Sequence, residues 1–200
     1  LNYPKDICFK AGRHVTQLLV ENFNPQLLFH NLQHTINVVR GARKIAKKEK
    51  LYKAQKDTVV LAAWFHDTGF IHQYNEHEKA SIEIASVWLY QQGVNSEIID
   101  QILACIAATQ MPQQPKSILE KVLCDADLMH LAQPEYFHVQ RLLLEEWKIM
   151  LGREYTPQEW ISENIKFMGE HRYWTVYGRN YLEDLKEQNI KMFRKLNLKE

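Results

Sequence analysis

The stretch Ala62-Ala63-Trp64-Phe65-His66-Asp67-Thr68-Gly69 decides how this chain is read. It closes an apolar run in which Val59, Ala62 and His66 recur at the three- and four-residue spacings of a buried helical stripe. His66-Asp67 sets an imidazole beside a carboxylate at the end of that helix, and Gly69 suits a helix stop. A charge on an apolar stripe is costly unless it is paired or binds a metal. The end of this helix, spanning about 55–66, is therefore the first candidate site.

Upstream, the spacing predicts a helix from about Asn31 to Lys50 with His34, Val38, Gly41/Ala42 and Ile45 on its buried stripe. Arg40, Arg43, Lys44 and Lys47 point the other way and read as a solvated face. His30, four residues before His34, shares the inward face if the helix begins early enough. Downstream comes Leu123-Cys124-Asp125-Ala126-Asp127-Leu128. Asp127 falls in register with Leu123 and Leu131, whereas Asp125 aligns with Lys121 and Met129. Asp127 is thus the better inward group, and Asp125 is expected to support the site by hydrogen bonding or to stay on its rim.

The remaining chain reads as helices joined by short loops, because Gly (7) and Pro (6) are scarce and fall between periodic segments. Helices are expected over about 5–22, 76–92, 95–109, 117–131, 134–151, 157–170 and 172–195. Trp64, Trp88, Trp147 and Trp160 sit in helical registers as core. A length of 200 residues suits one domain whose core needs no disulfide. A net charge of +1 gives no sign of a nucleic-acid polymer or a membrane as partner. Cys8, Cys105 and Cys124 are odd in number and lack Cys-x-x-Cys spacing, so a reducing cytoplasm is the expected home. No apolar run approaches the roughly 18 residues that span a bilayer, and no signal peptide is visible. The chain begins at Leu1 rather than Met, which leaves room for an upstream segment.

Taken in order, these elements resemble the HD superfamily of metal-dependent phosphohydrolases. Phe29-His30-Asn31-Leu32-Gln33-His34 is similar to the Tyr-His-Asn-x-x-His element of several branches, including the cyclic-nucleotide phosphodiesterases. Ala62 to Gly69 resembles the Ala-x-x-His-Asp element, and Ala126-Asp127-Leu128 resembles the third, Ala-Asp element. The likeness covers about residues 14–135, with looser similarity in the helices of 136–200 that would pack on that core.

The resemblance implies an all-α fold, a single HD-type helical bundle domain over 1–200. It also implies a divalent ion (Mn, Fe, Co, Ni, Zn or Mg) held by His34, His66, Asp67 and Asp127. Asp67 and His30 match catalytic positions, His30 that of the general acid in the phosphodiesterases, although it also suits a helix-start residue bonded to backbone. The implied partner is a small phosphate ester, mono- or diester, of a nucleotide. Two departures bear on a second ion: Phe70 stands where the phosphodiesterases carry a further histidine, and Thr109-Gln110 where other branches do. His77-Glu78 and His72 remain as second-metal or substrate groups, though Glu at a helix start is also favoured by the dipole. Arg172, in Glu170-His171-Arg172-Tyr173-Trp174-Thr175, is a candidate phosphate contact, with a core-and-cap role for this junction as the competing reading. The rival functions are a non-catalytic metal and nucleotide sensor and a di-iron oxygenase.

Overall fold

Helix α3 (Lys53–Phe65) sets the arrangement of its neighbours. Thr58 through Ala63, and Phe65, are all buried, so this helix has no water-facing side over its last two turns. A helix apolar on all sides must be wrapped. The computed structural model, which describes residues 3–197, shows the wrapping: α1 (Ile7–Glu21), α2 (Leu32–Lys48), α4 (His77–Gln91), α5 (Ser96–Ala107) and α6 (Ile118–Asp127) all pack on α3. Val38, Ala42 and Ile45 of α2, Ile102 and Ile106 of α5, and Val122 and Leu123 of α6 join α3 in one apolar core. Among the described residues there is no strand, and no helix is long and apolar enough to cross a membrane.

Local chemistry fixes where these helices begin. Asn31 accepts the backbone N–H groups of Gln33 (2.9 Å) and His34 (3.2 Å), which starts α2 with His34 in its first turn. Ser117 accepts the N–H of Glu120 at 3.2 Å and starts α6. Beyond the core lie α7 (Tyr136–Leu151), α8 (Pro157–Glu170) and α9 (Glu183–Asn197). Gly152, at φ +64, ends α7 in the left-handed region that a glycine adopts without cost. Thr156 and Glu159 form a capping box for α8, with Pro157 in its first turn. Leu128, Leu131, Tyr136, Met168, Ile190 and Phe193 gather these helices into a second apolar cluster.

Three expectations are corrected. The helix expected over 117–131 ends at Asp127 and tightens into a 3-10 segment, Leu128–Ala132. The helix expected over 172–195 does not start at 172: residues 171–174 are irregular, and a π-helical turn, Gly178–Leu182, leads into α9. The cause is Asp125, whose carboxylate holds the backbone N–H groups of Trp174 and Thr175 outside any helix. Of the four tryptophans expected in the core, Trp88 and Trp160 are buried, while Trp64 and Trp147 are only partly so.

Candidate metal centre

Four side chains from three elements come together, and three of them, His34, His66 and Asp127, offer ligand atoms that all lie within 4.8 Å of one another. His34 comes from the first turn of α2, His66 and Asp67 from the residues just past α3, and Asp127 from the last position of α6. The Asp67 Oδ2 lies 3.3 Å from His34 Nε2 and 3.2 Å from His66 Nε2. The Asp127 Oδ1 lies 3.2 Å and 3.7 Å from the same two nitrogens. Donor atoms sharing an ion at ~2.1 Å stand roughly 3.0–3.4 Å apart, whether octahedral or tetrahedral. The observed spacings fall on or near that range.

The donor chemistry fits a cation as well. His66 Nδ1 donates to the Ala63 carbonyl at 2.9 Å, which leaves the Nε2 lone pair turned toward the carboxylates. His66 Nε2 and Asp67 Oδ2 are both buried without a hydrogen-bond partner, a costly arrangement that a bound cation would relieve. Burial alone would raise the Asp67 carboxyl, but the charge of His66 and the close imidazole of His34 hold it well below the usual carboxylate range. Asp127 is depressed by the same imidazoles against the same burial. Burial pulls His34 and His66 down, and the two carboxylates more than reverse this. The carboxylates therefore demand positive charge, which imidazole protons or a divalent ion can supply in competition.

A second rank stands behind this cluster. The other Asp67 oxygen, Oδ1, faces His77 Nε2 at 3.5 Å, and that nitrogen lies 3.7 Å from Glu78 Oε1. Asp67 thus spans two groups of donors. The Phe70 ring is stacked between the imidazoles of His30 (centroids 4.3 Å apart) and His77 (3.8 Å). His30 Nδ1 is bonded to Glu146 of α7. The Glu146 carboxylate, fully buried, also accepts the N–H groups of Phe29 (2.7 Å) and His30 (3.1 Å) and the Tyr74 hydroxyl (2.8 Å). Burial opposes the charge on Glu146, but these donors win and its carboxyl is lowered.

Two residues here escaped the sequence reading. Glu146 sits beside Glu145 in an amphipathic helix, where acidic residues usually face water. His130 lies in the 3-10 segment after α6; its Nδ1 donates to the Asp127 carbonyl at 3.0 Å, and burial together with His34 pulls it down to about 4. A histidine three residues past Asp127 was the available signal.

Three candidates lie elsewhere. Asp125 neither supports the cluster nor stays on its rim: it is fully buried and spent on Trp174 N (2.7 Å), Thr175 N (2.9 Å) and Thr175 Oγ1 (2.6 Å). Arg172 is exposed and outside the lining of the cavity described below, with its guanidinium turned back onto the Gly169 and His171 carbonyls. His72 is exposed.

Asp67 and Asp127 of this cluster line a cavity of about 450 Å³, with His34 and His66 buried behind them. Asp67, His77, Glu78 and Asp127 contribute to its lining, and Trp147, Trp160 and Phe167 of α7 and α8 form another wall of it. A helical bundle that gathers two histidines and two aspartates beside such a cavity defines a class of metal-site proteins. Residues 31–132 match the family model of the HD domain, and the chain belongs to that family, which includes metal-dependent hydrolases. The match encloses all four converging residues as well as His77 and Glu78. A solved structure described as a predicted HD superfamily hydrolase from an uncultured Thermotogales bacterium shares the fold. It has a TM-score of 0.63 and 19% identity over 94% of this chain and 90% of that one. No curated protein matches the sequence.

Proposed function

We propose that this protein is a metal-dependent phosphohydrolase that cleaves a phosphomonoester or phosphodiester of a small molecule, a nucleotide being the preferred class. His34, His66, Asp67 and Asp127 would hold the ion, drawn from Mn, Fe, Co, Ni, Zn or Mg. Such an ion supplies Lewis acidity at phosphorus and acidifies water toward neutral pH. The observation that carries the reading is the pair of orphaned buried atoms, His66 Nε2 and Asp67 Oδ2, facing each other at 3.2 Å.

The protein's own groups supply the rest. With Nδ1 held by Glu146, His30 has Nε2 free to hold a proton for the leaving oxygen, which departs far more easily as an alcohol than as an alkoxide. Asp67 Oδ1, His77 and Glu78 form an acidic shelf beside the first cluster, suited to a second cation or to a water. The wall from α7 and α8 would limit the access of bulk water to the reacting groups, and the link of α7 to His30 through Glu146 supports treating the chain as one domain.

The test is metal content of the purified protein, paired with phosphate release from a panel of nucleotides under added divalent ions. Metal-dependent release lost in both His66→Ala and Asp67→Ala is the expected result. Bound metal without release from any ester would replace hydrolysis with sensing, and absence of bound metal under all conditions would end the proposal.

A further inference from the structure

We infer that the cavity takes an ester of a single phosphoryl group on a flat, apolar body, which rests against Trp147 and Trp160, and that it turns polyphosphates away. This rests on the hydrolytic reading above and adds the substrate class.

Charge is the first ground. The cavity lining carries four carboxylates, Asp67, Glu78, Asp127 and Glu163, against one guanidinium, that of Arg153. Glu146, bonded to His30, is not part of the lining. One divalent ion leaves the lining net negative, and a second brings it only just positive. A phosphomonoester, with about −1.5 to −2 near neutral pH, can be accommodated there. Each further phosphoryl group adds about one more negative charge, with no lysine or second arginine on the lining to meet it.

The second ground is the chemistry of the wall that α7 and α8 supply. The Trp147 and Trp160 rings meet edge to face, 5.6 Å apart at 81°. The indole N–H of Trp160 is taken by Gln140. The Tyr136 hydroxyl donates to Asn164 Oδ1 at 2.6 Å, and Asn164 Nδ2 donates to the Trp160 carbonyl at 2.8 Å. These polar atoms are already partnered, and with the Arg153 guanidinium lying over the Trp147 ring, 5.1 Å from its centroid, the rest of the wall turns mostly carbon toward the cavity. Such a surface favours a flat ring by stacking but has little with which to read the ring's hydrogen-bonding edge. The volume of about 450 Å³ is that of a small-molecule site.

The experiment uses the full chain loaded with Mn²⁺ and compares phenylphosphonate with methylphosphonate by calorimetry and tryptophan fluorescence. It then compares phosphate release from a nucleoside monophosphate and its triphosphate, with the metal in excess. Phenylphosphonate is expected to bind about tenfold tighter, the scale of one stacked ring. Trp147→Phe should keep that preference and Trp147→Ala should lose it. The monophosphate should be the faster substrate by about tenfold or more. Equal affinity for the two phosphonates, or a triphosphate cleaved as readily as the monophosphate, overturns the inference. Ring preference without release from any ester still supports the ligand assignment and removes only the hydrolytic reading.

Discussion

Glu146 and His30 are 116 residues apart in the chain, yet the fully buried carboxylate of one grips the imidazole Nδ1 of the other. The same carboxylate accepts the backbone N–H of His30, so ring and main chain are fixed by one residue. An imidazole held in this way has a set tautomer and a set direction, which is what a proton donor needs.

Glu146→Gln should therefore lower turnover by about ten- to a hundredfold while leaving metal content unchanged. The informative readout is the leaving group. An alkyl phosphate needs a proton on its departing oxygen, whereas p-nitrophenyl phosphate releases a stabilised anion. Both Glu146→Gln and His30→Ala are expected to lose much more activity on the alkyl ester. Equal losses on the two substrates would reduce the pair to a structural contact.

Asp125 and Asp127 are two residues apart and should fail in different ways. Asp125 fastens the start of the π-helical turn through three hydrogen bonds from Trp174 and Thr175. Asp125→Ala leaves those buried donors unpaired and should cost about 3 kcal/mol of stability. Asp127→Ala should abolish tight metal binding with a smaller effect on the fold of the chelated protein. Urea denaturation beside metal analysis separates the two; stability loss in the Asp127 variant alone would reverse the assignment.

That contrast also marks how much could be read from the residues alone. Helical spacing placed His34, His66 and Asp127 on inward faces, and the structure brings them to within 4.8 Å of one another. Periodicity works here because each lies in or at the end of a regular helix whose other face is plainly different. It cannot show what a buried polar group bonds to. Asp125 looked like a rim residue because its partners, Trp174 and Thr175, lie some 50 residues on in a segment that imitates a helix. Glu146 looked solvated for the same reason, since its partners are Phe29, His30 and Tyr74. Long-range pairing is a property of the fold and leaves no local pattern.

Gly69 was read as a helix stop, but its φ is not positive and its role is close approach. A Cβ there would stand 1.9 Å from the His77 carbonyl oxygen and 2.8 Å from the Ser81 nitrogen. Both are backbone atoms at the start of α4, the helix that carries His77 and Glu78. Gly69→Ala must push α4 away and should cost about 3 kcal/mol or more. If activity depends on the acidic shelf, this variant should also lose turnover at temperatures where it remains folded. Thermal denaturation and activity of a purified Gly69→Ala protein check both points.

The last prediction concerns pH. In the chelated protein, Asp67 and Asp127 are held below their ordinary value of 3.8 and His34 and His66 above theirs of 6.5. The carboxylates' contribution to stability is therefore present above pH 3.8 and lost as pH falls through their depressed values. The imidazoles' contribution is complete below pH 6.5 and lost as pH rises through their raised values. Above pH 6.5 the chelated protein should thus weaken, because deprotonated imidazoles no longer neutralise the two aspartates. Those same deprotonated imidazoles are what a divalent ion needs, so the loaded protein should gain as the chelated one loses. The gap in Tm between Mn²⁺-loaded and EDTA-treated protein is expected to widen steadily from pH 6 to 8. A gap that stays constant over that range would mean that proton and metal do not compete for these four side chains.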